Sequence, residues 1–384
     1  MRKNKLLSAT IYESYEDSIN HEVVIYDKDG MSKVTGWIIP NCCWQLSYAS
    51  IIVDKDLAIK SAVERWIQEN GVPAREILVF DVGNPQSLKF NPFACETGNS
   101  VKKLINMAYT FLACAKDVPF KENYFIFVLT LISLVYYGFS TKRCDMVGFK
   151  DTLNMDTLSI YENALKFFKE FSQSDTSVYI TNQIARFLDF DMITLQPIHN
   201  ELKEGFKSLI SDKVLAFSLT QENIAMQLDF RDYQLFANLT DDKYAPTNMM
   251  FALFLDAMYD RNMFYSSLND LDYIPVHKHF ILDDIDTIPL AKPVFLNHIK
   301  ENFTRGLSTT VISSKINSLT GILPLSGTFI IMKTQGISTD AVRYISEKYA
   351  VNADELKKSV NANEITIVRK NQLLSDMAPN KSIL

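Results

Sequence analysis

Cysteine is scarce, with five in 384 residues. Cys42, Cys43, Cys95, Cys114 and Cys144 form an odd set with no C-x-x-C spacing, which excludes a cysteine-based structural zinc site and fits a reducing cytoplasm. Histidine is equally sparse. His21, His199, His277, His279 and His298 show no H-E-x-x-H or comparable ligand spacing. The opening residues lack the basic, apolar and small-residue succession of a secretory signal. No apolar run reaches the ~20 residues of a membrane-spanning helix; the most conspicuous, at 125–139, reads as a buried helix. Positive charge is also short. With 39 Lys and Arg against 45 Asp and Glu, the net charge is −6, and no basic stripe is interleaved with aromatics. A surface that grips nucleic acid broadly is thereby excluded, because such binding is driven by Lys and Arg displacing counterions from phosphates. What is abundant is apolar surface. At 47% hydrophobic and 22% charged, the chain can bury a large core and is long enough for two domains or one domain with an insertion.

That apolar content is organised in short β-branched runs: 23–26, 50–53, 77–80, 233–237, 279–282, 309–312 and 327–331. Such runs predict buried strands of a mostly parallel sheet. Amphipathic stretches between them, at 57–69 and 292–302, suit crossover helices that cover the sheet. The fold class is therefore α/β. From about 156 to 219 the spacing turns helical, notably at 161–171 and 198–210, and no strand is evident. This predicts a helical insertion that splits the sheet in sequence. Pro119, Pro197, Pro246 and Pro275 are expected at turns or element boundaries.

Three segments could carry chemistry. The run at 77–80 leads through a polar turn into Lys-Phe-Asn-Pro-Phe at 89–93, in which Asn-Pro is by itself a turn former. The run at 279–282 ends in adjacent carboxylates, Asp283 and Asp284. In nucleotide-binding sheets an Asp at a strand's carboxyl end holds the magnesium shell and the next acidic residue polarises water; a solvated strand end that caps a helix with Asp286 is the plainer reading. The run at 23–26 opens a polar loop that contains Gly30, Ser32 and Lys33 and is followed by Val34. A phosphate loop requires G-x-x-x-x-G-K-[ST], so that backbone N–H groups approach the phosphates while Lys and the hydroxyl neutralise them and position magnesium. That pattern is not met, and without context the segment is an ordinary strand and loop.

Taken in order, these segments resemble the TraG/TraD-like coupling proteins of conjugative type IV secretion. Residues 22–34 match the family's first strand and phosphate loop, and Ile-Pro-Asn at 39–41 its Lys-Pro-Asn-like helix. Residues 50–56 match the strand that ends in Asp-Pro-Lys-Gly-Glu, and 79–93 the strand running into Tyr-Asn-Pro-Phe. Residues 229–242 match a strand before a long helix, Leu282-Asp283-Asp284 matches Leu-Asp-Glu, and 304–314 matches a strand ending in Gln-Ser. The resemblance implies a RecA-like P-loop NTPase fold: a core in two parts, 1–140 and 220–384, around a helical insertion at 141–219.

The departures from the family bear on function. Asp27 falls at the first Gly of the phosphate loop, Ser32 at the last, and Val34 at the Ser/Thr; the Asp-Pro-Lys-Gly-Glu signature shrinks to Asp54-Lys55-Asp56; Asp284 shortens the Glu; Ser313 replaces the sensing Gln. Enzymatic catalysis rests on roughly 8–23 kcal/mol of transition-state stabilisation, most of it expected here from donors and metal around the phosphates. The expectation is a non-hydrolysing docking or assembly subunit for transfer of DNA and its relaxosome. No cofactor is expected beyond weak binding of ATP with magnesium, the latter at Asp283. The partners implied are type IV secretion or relaxosome proteins, an intact coupling protein or further copies of this chain in an oligomer, and single-stranded DNA through partners. The place implied is the cytoplasm, at the inner face of the membrane through those partners. Two alternatives stay open: a divergent ATPase that drives single-stranded DNA using Lys33 and Asp283, and an unrelated α/β interaction protein.

Overall fold

The structure is a computed structural model, and it describes residues 4–6, 12–14, 22–27, 33–43, 48–71, 76–94, 100–172, 178–220, 228, 232–267, 277–283, 307–315, 327–332, 337–362 and 364–376. The chain divides into two compact units, one of residues 1–79, 229–239 and 268–384, the other of 80–228 and 240–267.

The first unit is built on a parallel sheet. In chain order its strands are β3 (Glu22–Tyr26), β4 (Tyr48–Val53), β5 (Glu76–Phe80), β6 (Tyr233–Ala237), β7 (His277–Asp283), β8 (Leu307–Ser313), β9 (Thr328–Met332), β10 (Ile365–Arg369) and β11 (Gln372–Asp376). Across the sheet they lie in the order β11-β10-β9-β3-β8-β7-β4-β6-β5. The pairings from β9 through β3, β8, β7 and β4 to β6 are parallel, and β10 pairs antiparallel with β9 and β11. All seven runs expected as strands are strands. A separate ribbon joins β1 (Asn4–Leu6) to β2 (Tyr12–Ser14), antiparallel. Parallel strands are covered on both faces, and β6 and β9 accordingly bury every residue.

One face carries a row of matched side chains: Ile25 opposite Ile312 and Ile330, Ile330 opposite Ile367, and Ile52 opposite Phe236 and Ile281. Trp37, Ile38 and Ile39 from a π-helical segment, Val34–Cys43, pack on this row with Ile59, Val63 and Trp66 of α1 (Ala58–Asn70). The stretch expected as a helix at 57–69 is thus α1, which stops at Gly71 in the left-handed conformation that glycine adopts without steric cost. The stretch at 292–302 lies outside the described residues. The unit closes with α10 (Thr339–Tyr349) and α11 (Ala353–Ala362) between β9 and β10, numbered after the helices of the second unit.

The second unit is helical: α2 (Ser100–Cys114), α3 (Glu122–Tyr136), α4 (Met146–Asn154), α5 (Thr157–Phe171), α6 (Val178–Leu188), α7 (Met192–Gly205), α8 (Asp212–Ser218) and α9 (Pro246–Ser267). The apolar run expected as a buried helix is α3, buried from Tyr124 to Val135 and packed by α2, α4, α5, α6 and α7. Its hydroxyls do not break this burial, because Thr130 and Ser133 donate to the carbonyls of Ile126 and Leu129 one turn back. No described helix is long and apolar enough to cross a membrane. Asp145, Asp156 and Asp191 cap α4, α5 and α7, each accepting a backbone N–H at 2.8 Å. Asn-Pro at 91–92 is the plain turn: Asn91 Oδ1 accepts the N–H of Phe93 at 3.0 Å.

Pro246 is the first residue of α9, where its missing N–H is not needed. Pro197, expected at a boundary, lies inside α7 instead; tertiary packing of Leu195, Ile198 and Leu202 overrides the one lost hydrogen bond. Pro275 lies outside the described residues.

His199 on α7 is buried against the ring of Phe127, with Nε2 2.8 Å from the carbonyl of Leu153 and Nδ1 2.9 Å from the hydroxyl of Thr157. A carbonyl only accepts, so Nε2 carries the proton and Nδ1 accepts from Thr157. Burial pushes the pKa of His199 down, the Leu153 carbonyl opposes this, and Lys203 adds to the depression. Below about pH 6.5 the unfolded chain takes up a proton that the folded chain resists, so this part of the stability is lost as pH falls towards the folded value. The stability margin of the wild type over a His199→Asn variant is therefore expected to shrink between pH 7.5 and pH 5.5. Urea unfolding of both chains across that range measures it; a margin independent of pH contradicts the assignment.

Candidate functional site

Because β3, β8, β7 and β4 are adjacent and parallel, their carboxyl ends share one edge of the sheet. This is the edge at which open α/β sheets bind ligands. Aspartates mark it: Asp27 directly follows β3, Asp54 directly follows β4, and Asp283 is the last residue of β7. Ser313 ends β8.

Asp27 is 1% exposed. Its N–H donates to the Ser313 carbonyl at 3.1 Å, continuing the β3–β8 ladder by one bond. Its Oδ2 accepts the backbone N–H of Lys33 at 2.8 Å. Lys33 leads directly into the helical segment Val34–Cys43, so this N–H belongs to the donors at a helix start that have no partner within the helix. The Lys33 ammonium meets Asp283 with Nζ 2.8 Å from Oδ1 and 2.7 Å from Oδ2. The two side chains are 17% and 14% exposed, so solvent screens the pair only in part. The contact links the segment after β3 to the end of β7, with β8 in between.

Asp54 is buried and accepts the N–H groups of Ile59 at 2.8 Å and Lys60 at 2.6 Å, tying β4 to the start of α1. Burial raises its pKa above the ordinary carboxylate value; the N–H groups of Lys60 and Ile59 oppose the rise, and the charge of Asp283 adds to it. The two carboxylates therefore sense each other, and the Lys33 ammonium on Asp283 offsets their repulsion. In the turn between Asp54 and α1, Asp56 and Leu57 have φ of 59° and 55°. Asp56 N–H donates to Asn238 Oδ1 at 3.0 Å. Leu57 holds a backbone that glycine would carry freely; the left-handed conformation costs other residues roughly 1–2 kcal/mol.

The structure thus brings together two of the expected site residues, Lys33 and Asp283. Val34 is partly buried against the core of the sheet, and its side chain offers no oxygen to a metal ion. Ser313 is buried and turned to its own chain, its Oγ accepting the N–H of Lys315 at 3.0 Å and donating to the Lys315 carbonyl at 3.2 Å. Gly30, Ser32 and Asp284 lie outside the described residues. Among the described residues no group of three or more His, Cys, Asp or Glu converges as a metal site. The place of Asp54 beside Asp283 was not foreseen, although an aspartate directly after the runs at 23–26, 50–53 and 279–282 alike was a visible signal.

A magnesium triphosphate needs helix-start N–H groups, an available ammonium and a hydroxyl for the metal. Here the N–H of Lys33 bonds a carboxylate, its ammonium is held by Asp283, and Val34, next in the chain, carries no hydroxyl. The residues present do not fit that ligand.

No protein-family model and no curated protein matches the sequence. Solved structures match the shape over nearly the whole chain. The bacterial conjugative coupling protein TrwBdeltaN70, in a trigonal form with sulphate, gives a TM-score of 0.61 at 10% identity, covering 98% of this chain and 89% of that one. TrwB in complex with the non-hydrolysable ATP analogue ADPNP gives 0.59 at 9% identity, covering 99% and 90%. VirB4 of Thermoanaerobacter pseudethanolicus gives 0.54 at 11% identity, covering 99% and 95%. The chain has the coupling-protein fold.

On the coupling-protein fold of this chain, the Lys33–Asp283 pair is a direct contact between two elements distant in sequence, and its strength is measurable. Lys33→Met and Asp283→Asn are each expected to destabilise, and the double variant to lose less than the sum, with a coupling on the order of 1–3 kcal/mol. Denaturant unfolding of the four chains in a double-mutant cycle gives the value; strict additivity contradicts the pair.

Proposed function

We propose that this chain is a non-hydrolysing component of a conjugative type IV secretion apparatus, serving as a docking or assembly subunit. The likeness to a conjugative coupling protein and to VirB4 over nearly the whole chain supports the setting. The observation that carries the non-hydrolysing part is Val34 partly buried against the core, with the N–H of Lys33 taken by Asp27. Loss of a metal-ligating hydroxyl together with a carboxylate at the phosphate position removes the electrostatic stabilisation on which phosphoryl transfer depends. On this reading the partners are type IV secretion or relaxosome proteins, including an intact coupling protein with which the chain forms a mixed oligomer, and single-stranded DNA is reached through them. Its place is the cytoplasmic face of the membrane, held there by those partners. The division into two halves of a nucleotide-binding-like core around a helical insertion at 141–219 belongs to the same proposal, with the helical part as the docking element.

One observation favours a second reading: Lys33 and Asp283, the two side chains a divergent ATPase would need, are in contact. The two readings part on one measurement. Deleting the gene from its donor cell is expected to lower conjugative transfer, and chains carrying Lys33→Ala or Asp283→Ala are expected to restore it. Magnesium-dependent ATP turnover by the purified wild type, abolished by Asp283→Ala, overturns the proposal in favour of the ATPase.

A further inference from the structure

Two groups that could hold an anion at the edge of the sheet, both on Lys33, are matched to carboxylates of the chain itself. The backbone N–H at the start of the helix after β3 bonds Asp27 Oδ2 at 2.8 Å, and the Lys33 ammonium is held by both oxygens of Asp283. A helix start and a lysine ammonium together make an anion site. Asp27 cannot leave it easily: its own N–H is bonded to β8 and its side chain is 1% exposed.

We propose that Asp27 is a built-in occupant of this site, an autoinhibitory contact that holds Lys33 and the helix start in their bound arrangement and keeps polyphosphates out. The inference rests on the reading of the site given under the proposed function and adds the residue that enforces it. Three physical terms support it. A tethered carboxylate competes at an effective concentration of roughly millimolar or more, without the entropy loss of a free ligand. A polyphosphate that entered would meet the Asp27 charge at contact distance in a partly dry setting, where like charges repel strongly. Displacing Asp27 would also take from a buried carboxylate a backbone N–H that it accepts. Because Lys33, Asp27 and Asp283 satisfy one another, the site needs no ligand to be ordered, and the subunit's conformation is set by its own sequence and not by nucleotide supply.

The test uses the full chain and inorganic tripolyphosphate, read by calorimetry and by thermal shift. Wild type is expected to show no binding at millimolar tripolyphosphate. Asp27→Asn and Asp27→Gly are each expected to gain affinity by roughly tenfold or more, and the gain is expected to vanish when Lys33→Ala is added to either. A second measurement on the wild type does not depend on how the Asp27 variants fold: the acetylation rate of Lys33, followed by mass spectrometry, is expected to be unchanged by tripolyphosphate and to rise on Asp283→Asn. Tight binding by wild type, protection of its Lys33 by tripolyphosphate, or folded Asp27 variants that bind no better each overturn the inference. Unimpaired conjugation on gene deletion would sink the secretion role and leave these results standing; failed anion gain would sink the occupant and leave the secretion role standing.

Discussion

Parallel pairing of β3, β8, β7 and β4 is the constraint from which the site follows. Antiparallel neighbours would have sent alternate strand ends to opposite edges; here the residues after β3 and β4 and at the end of β7 are brought to one edge. Three aspartates then gather where the sheet's apolar cover stops, and like charges at close quarters destabilise one another unless a cation or donor is supplied. Each is supplied from a neighbouring element: Asp54 by the N–H groups at the start of α1, Asp27 by the N–H of Lys33, Asp283 by the Lys33 ammonium. The same few bonds thus hold the segment after β3, the start of α1 and the end of β7 against the sheet.

That network also leaves the donors of Lys33 matched within the chain itself. Lys33 makes its contacts through one backbone donor and one ammonium, both satisfied internally. Val34, partly buried, packs against the cluster formed by Trp37, Ile38 and the isoleucines of the sheet.

Much of this was legible in the sequence, and what was missed has physical reasons. Buried parallel strands are continuous apolar runs, so all seven sheet runs could be read without structural knowledge. Helix α3 could be read because its run is too long for a strand and too short for a membrane. The ribbon of β1 and β2 could not, since three-residue strands such as Tyr-Glu-Ser carry no periodicity. The hairpin of β10 and β11 turns at Lys370-Asn371 with no glycine, and Asn371 adopts φ of 59° in its place. The segment Val34–Cys43 contains Gly36 and Pro40, both poor helix formers, so only the family resemblance suggested a helix there. Pro197 misled in the opposite direction, because a proline's local preference yields to three buried apolar neighbours. At the site, Lys33 and Asp283 were identifiable by motif order, whereas the satisfaction of each by a particular partner depends on strand adjacency, which no linear pattern encodes.

The bend between β4 and α1 shows how far shape and residue identity have separated in this chain. Leu57 holds a backbone angle that glycine holds more cheaply, so the bend is kept by what surrounds it and at a local cost. A TM-score of 0.61 at 10% identity over 98% of this chain carries the same point to the whole fold: a shape can be shared where few residues are.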